Sequence, residues 1–91
     1  MTDERGYPFS NGTWVPPEML AAIKRYIHGR VIPGDFLQAV ICNDLTGAVG
    51  RADDDNLANL PAFVGYFYNE APSRCWGSKE KMEAWLRGGS Q

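Results

Sequence analysis

Sulfur and imidazole are scarce in this chain of 91 residues, which carries two cysteines, Cys42 and Cys75, and one histidine, His28. Two thiols set no disulfide framework, and the cytosolic character argued below keeps both reduced. Structural zinc needs four Cys or His ligands at tight spacings, and neither C-x-x-C nor H-x-x-x-H occurs, so no metal is expected. A Ser-His-Asp or Cys-His device would need His28 to meet a nucleophile, and no nucleophile elbow or other local signature marks one. His28 instead falls where the first helix should end, a position at which an imidazolium favours the negative helix end. No catalytic residue and no cofactor are assigned, and the chain reads as a non-enzyme.

Other absences narrow the class further. Lys and Arg number 9 against 11 Asp and Glu, a formal charge of -2, so there is no surplus of cations to displace counterions from a nucleic-acid backbone. No apolar run nears the ~18 to 20 residues that span a bilayer, and the first residues lack both the basic start and the apolar stretch of a signal peptide. The sequence predicts a cytoplasmic protein with neither a nucleic-acid nor a membrane partner. Neither G-x-x-x-x-G-K nor G-x-G-x-x-G is present, so Gly47, Gly50 and Arg51 resemble a phosphate-binding turn only loosely, and close helix packing is the simpler reading of the glycines. Asp53, Asp54 and Asp55 lack the alternating ligands and distal Glu of a calcium loop, and read as helix caps.

What is present fits one small globular domain. Hydrophobic residues make up 44% and charged residues 22%, enough to bury a core, and the length leaves room for only one. A domain this small buries only ~60% of its unfolded surface, which makes self-association into a homo-oligomer a natural remedy. Residues 1–13, MTDERGYPFSNGT, show no apolar period and are expected to be a disordered tail; the domain proper spans 14–87, and 88–91 should fray.

Helical spacing recurs along the domain. Pro16 or Pro17 suits a first turn, and Met19, Leu20, Ile23, Tyr26 and Ile27 make one apolar stripe ending at Gly29, a left-handed stop. Asp35 should cap a second helix that buries Phe36, Leu37, Val40 and Ile41. Asn43 and Asp44 reset the pattern before a short third helix with Leu45, Ala48 and Val49. The aspartates open the longest helix, carrying Leu57, Leu60, Val64 and Phe67, with Pro61 forcing a kink or restart near Asn59. Ser78 caps a last helix whose inward face is Met82, Trp85 and Leu86. Alternation of period two is confined to VGYFY, which its neighbours claim for a helix. The fold class is all-α, a compact bundle of four to five short helices.

Aromatics crowd the second half, from Phe63 to Trp85. Phe63 and Phe67 share a helix face while Tyr66 lies ~100° from Phe67, so a thin core cannot take every ring. That surplus predicts a contact patch centred on Tyr66, Tyr68 and Trp76, with Arg51, Asn69, Glu70 and Arg74 as its polar rim. The patch would bind another protein. The alternative is a small nucleotide-like anion, stacked on a ring and met by Arg51, Arg74 or Lys24, in a pocket formed by an oligomer. Of the thiols, Cys75 beside Arg74 should be exposed and the more reactive, and Cys42 a small core hydrophobe.

The runs VPPEM, PGDFLQAVICNDL, GRADDDN, FYNEAP and CWGSKEKMEAWL, spread over residues 15 to 86, resemble a family of small proteins of tailed bacteriophages and prophages in proteobacteria. The family carries no named active site, so the resemblance transfers no functional residue. It implies an accessory product of the bacterial cytoplasm that occludes a host protein or sequesters a small molecule.

Overall fold

Prolines, caps and left-handed residues divide the chain into six α-helices and one short ladder in the computed structural model, which describes residues 5–88. Helix α1 (Pro17–Gly29) opens on Pro17, whose missing N–H has no partner to lose in a first turn. Leu20, Ile23, Tyr26 and Ile27 are buried and Met19 packs partly against them. Gly29 stays helical, and the left-handed stop falls one residue later on Arg30, at φ 56°. That conformation is costly for a residue with a Cβ, but the Arg30 guanidinium lies 4.1 Å from the centroid of the Trp85 ring, a contact that Gly could not make.

Helix α2 (Asp35–Ile41) buries Phe36, Leu37, Val40 and Ile41 as the spacing predicts, with Ala39 besides. Gly34 holds the N-cap position and Asp35, expected to be the cap, is the first helical residue; its carboxylate makes no capping bond there and acts only through the positive helix end. Asn43, at φ 62°, turns the chain, and Asp44 caps α3 (Leu45–Arg51) by accepting the Gly47 N–H at 3.0 Å. Close helix packing does not account for the glycines of α3. Gly50 faces open space, and a Cβ at Gly47 would meet the side chains of Asp44 and Arg51 instead of a neighbouring helix.

Asp53 caps α4 (Asp54–Ala58) through the Asn56 N–H at 2.8 Å. The helix breaks at Asn59 and restarts as α5 (Leu60–Glu70), with Pro61 in its first turn, where a missing N–H is harmless. This break makes six helices where four or five were expected, and leaves α1, at 13 residues, longer than the 11 of α5. A 3₁₀ turn (Ser73–Cys75) leads to α6 (Lys79–Leu86), which Ser78 caps through the Lys81 N–H; Met82 and Trp85 are buried and Leu86 partly so.

The N-terminal segment differs most from expectation. Residues 5–13 are not a disordered tail: β1 (Tyr7–Pro8) pairs antiparallel with β2 (Trp14–Val15), Tyr7 opposite Val15. Residues 1–4 of the expected tail and 89–91 of the expected frayed end lie outside the described residues. Several contacts hold the hairpin on α5. The Phe9 ring seats against Gly65 so closely that any Cβ there would collide with it. Asn59 Oδ1 accepts the Trp14 backbone N–H at 3.0 Å, and Tyr7 donates its hydroxyl to Glu70 at 3.2 Å. Val15 is fully buried beneath them.

Gly65→Ala tests this seating. Ala gains about 1 kcal/mol in an open helix, whereas overpacking costs about 1 to 3 kcal/mol, so the variant should lose net stability in urea unfolding. In a Phe9→Ala background the same change should stabilise, because the clashing ring is gone. A gain in both backgrounds would show that Phe9 does not occupy this position.

Candidate functional site

Helix α5 decides which aromatics reach the surface. Phe63, Tyr66 and Phe67 face inward, while Val64 and Tyr68, four residues apart, share the outer face. Tyr66, expected at the centre of a contact patch, is buried: Tyr7 of the hairpin meets its ring edge-on at 5.0 Å and Phe67 at 6.1 Å. Trp76 also leaves the surface in part, tilted 5.9 Å from Phe67. Only Tyr68 of the three central rings is exposed, at 78%. Arg51, Asn69, Glu70 and Arg74 are exposed as predicted, but Glu70 is occupied by Tyr7 and Arg51 lines a cleft on α2, α3 and α6. The expected aromatic patch is therefore not assembled, because the hairpin covers the Tyr66 face.

An aliphatic face takes its place. Leu45 is 67% exposed and Val49 44% on α3, and Val64 is 42% exposed on α5 beside Tyr68. Leu45, Ala48, Leu60 and Val64 border one hollow of about 40 Å³, with Asn43 and Asp44 at its polar edge, so one hollow joins exposed apolar residues of the two helices. Among the exposed neighbours on the two helices Thr46, Gly50 and Pro61 are uncharged, while charge enters at Asp44 and Arg51 at the two ends of α3 and at Glu70 at the end of α5. Large aliphatic side chains grouped in contact with water and rimmed by polar residues are the usual mark of an interaction surface.

The other side of α3 borders a polar cleft. Gly47 and Arg51 lie ~200° around the helix from Leu45 and Val49, and the cleft there holds about 360 Å³ between α2, α3 and α6. Asp35, Asp44, Arg51 and Lys79 supply its charges; Cys42 and Met82 lie in its lining with their sulfurs 3.7 Å apart. Burial pushes the Cys42 thiol up from its ordinary range; Lys79 acts in the opposite direction, and Asp44, Glu83 and Glu80 add to the rise.

The two cysteines exchange their expected roles. Cys75 is fully buried in the 3₁₀ turn, where loss of hydration pushes its thiol up to about 11, and Arg74 does not lower it. Its carbonyl accepts the Tyr26 hydroxyl at 2.6 Å, and burial likewise raises the Tyr26 phenol. Cys42 is only partly buried and lines open space. Among the described residues no three His, Cys, Asp or Glu come together as a metal-binding group, and no helix is long and apolar enough to cross a membrane. No protein-family model matches the chain, and no curated protein or solved structure matches it.

Iodoacetamide should label Cys42 in the native protein well before Cys75, at a rate still rising with pH above the ordinary thiol range; faster labelling of Cys75 would contradict the burial described. The raised Cys75 pKa also sets the sign of a stability limb. The unfolded thiol ionises first, so stability is full below the unfolded value of ~8.5 and falls as pH rises toward about 11. Denaturant melts of Cys75→Ala should show a shallower alkaline decline than wild type.

Proposed function

We propose that the chain is a non-enzymatic binding protein that docks a partner protein on the aliphatic face of α3 and α5. The observation that carries this reading is the exposure of Leu45, Val49, Val64 and Tyr68 on two helices that border one hollow. Tyr68 supplies a ring with a polar tip, a side chain favoured at the centre of interfaces, and aliphatic neighbours exclude water around it. The phage resemblance supports a host protein of the bacterial cytoplasm as the partner and a stoichiometric, occluding role.

The alternative, capture of a nucleotide-like anion, has less support. Arg51 shares its cleft with the carboxylates of Asp35 and Asp44, which offset the pull of the two cations on a polyanion.

The reading is tested by affinity capture from proteobacterial cytoplasm with wild type and a Leu45→Lys, Val64→Lys double variant. Both sites are solvent-exposed, so circular dichroism should remain unchanged. Partners retained by wild type should be absent from the variant. A partner set that survives both lysines would remove this face as the contact surface.

A further inference from the structure

The cleft between α2, α3 and α6 lies on the other side of α3 from the aliphatic face, meets the hollow there at Ala39 and Asp44, and is not used by the docking reading. Its lining carries one negative and one positive side chain on α3, Asp44 as cap and Arg51 at the last turn, together with Asp35 at the start of α2 and Lys79 at the start of α6. Two carboxylates and two cations sum to zero. A polyanion or a polycation therefore gains no net attraction, whereas a ligand bearing both signs can satisfy both.

The position of the α3 pair is particular. A Cβ placed on Gly47 would touch both the Asp44 carboxylate and the Arg51 guanidinium, so the two opposite charges flank the same stretch of backbone. Among the described residues they nonetheless form no ion pair with each other. Asp44 uses Oδ1 to accept the Gly47 N–H, and Oδ2 is the oxygen turned toward the Gly47 side. An unpaired guanidinium fork can take a carboxylate through two parallel bonds, and a carboxylate oxygen can take an ammonium. The rest of the lining is Ala39, the Cys42 thiol, the flexible Met82 thioether and Gln38, whose amide N–H donates to the Pro33 carbonyl at 2.8 Å, so the thiol and thioether offer a surface that adapts to an apolar side chain. At about 360 Å³ the cleft has the size of a small-molecule site, in the lower part of the usual ~300 to 1,000 Å³.

We infer that this cleft binds a free α-amino acid with an apolar side chain, its carboxylate on Arg51, its ammonium on Asp44 and its side chain against Cys42 and Met82. Gly47 is then a specificity residue, because any side chain there would fill the gap between the two charges. Lys79 and Asp35 keep the rim neutral and disfavour ligands with an extra charge.

Cys42 provides the readout, since a ligand on the cleft lining shields its thiol. The full chain is alkylated with iodoacetamide, a neutral reagent, in the presence of leucine, methionine or phenylalanine, and each is compared with its N-acetyl and its amide derivative. For a dissociation constant of ~1 mM, ~10 mM ligand should slow Cys42 alkylation about tenfold. The derivatives, each lacking one charge, should protect far less. Arg51→Gln, at an exposed site, should keep the helical spectrum and lose the protection, and Gly47→Ala should lose it as well. Equal protection by the N-acetyl form would make this a site for simple anions and overturn the inference. Absence of protection by every amino acid, or protection retained in Arg51→Gln, would overturn it too.

Discussion

The Tyr26 hydroxyl donates to the Cys75 carbonyl at 2.6 Å in the interior, and the placement of three segments depends on that bond. It fixes the last turn of α1 against the 3₁₀ turn before α6. The Trp85 indole N–H then reaches the carbonyls of Tyr26 and Ile27 at 3.2 and 3.1 Å, which gives partners to groups that a helix end leaves short. Arg30 covers the outer face of that indole. Gly77 brings in α2 by donating its N–H to Ile41 at 2.7 Å. Each polar atom carried inward by a large aromatic thus finds a partner, and among the described residues no buried side-chain nitrogen or oxygen is left without one. Burying a tyrosine and a tryptophan without these carbonyls would cost about 1 to 3 kcal/mol per unpaired group.

The same arrangement explains why the surface is aliphatic. Phe36 meets Phe63 edge-on, and Phe67 meets Tyr66 edge-on and Trp76 at a tilt, so rings fill the space between α2, α5 and the loop before α6. With that volume taken by rings, branched side chains of similar hydrophobicity on α3 and on the far side of α5 stay outside. A short α3 then has two chemically distinct sides, one aliphatic and one charged, because its neighbours cover only the Ala48 edge between them.

Local chemistry was legible in the sequence and distant contacts were not. Ser78 caps α6 as expected, and Asp44 and Asp53 take the cap positions from among the Asn43–Asp44 pair and the three aspartates, since each bond spans three residues, whereas Asp35 lies one residue inside its helix. The restart at Asn59 follows from Pro61 alone. By contrast, the hairpin depends on Gly65 and Glu70, more than fifty residues from the Tyr7 and Phe9 that meet them, and its two-residue strands carry no period. The sign of α5 was open for a similar reason. Phe63 with Phe67 and Val64 with Tyr68 are both helical stripes, and distant partners make the first the inner one: Phe36 against Phe63, Trp76 against Phe67, and Tyr7 of the hairpin against Tyr66. One signal was present in Gly65, a residue without a side chain in a helix otherwise rich in large ones, which marks a place where another ring comes close. Cys75 and Trp76 lie in a loop, where spacing says nothing about depth, so their burial had no trace in the pattern.

Asn59 carries an order of events. Its side chain accepts the Trp14 N–H and donates to the Asp55 carbonyl, so one amide ends α4 and anchors β2. A ribosome adds Tyr7 to Val15 before any of Asn59, Gly65 or Glu70 exists. During synthesis the hairpin has no seat, and Val15 and Phe9 wait in water while α1, α2 and α3 are made. The hairpin is thus placed only after α5 has left the exit tunnel, and until then the inner rings of α5 have no cover on that side.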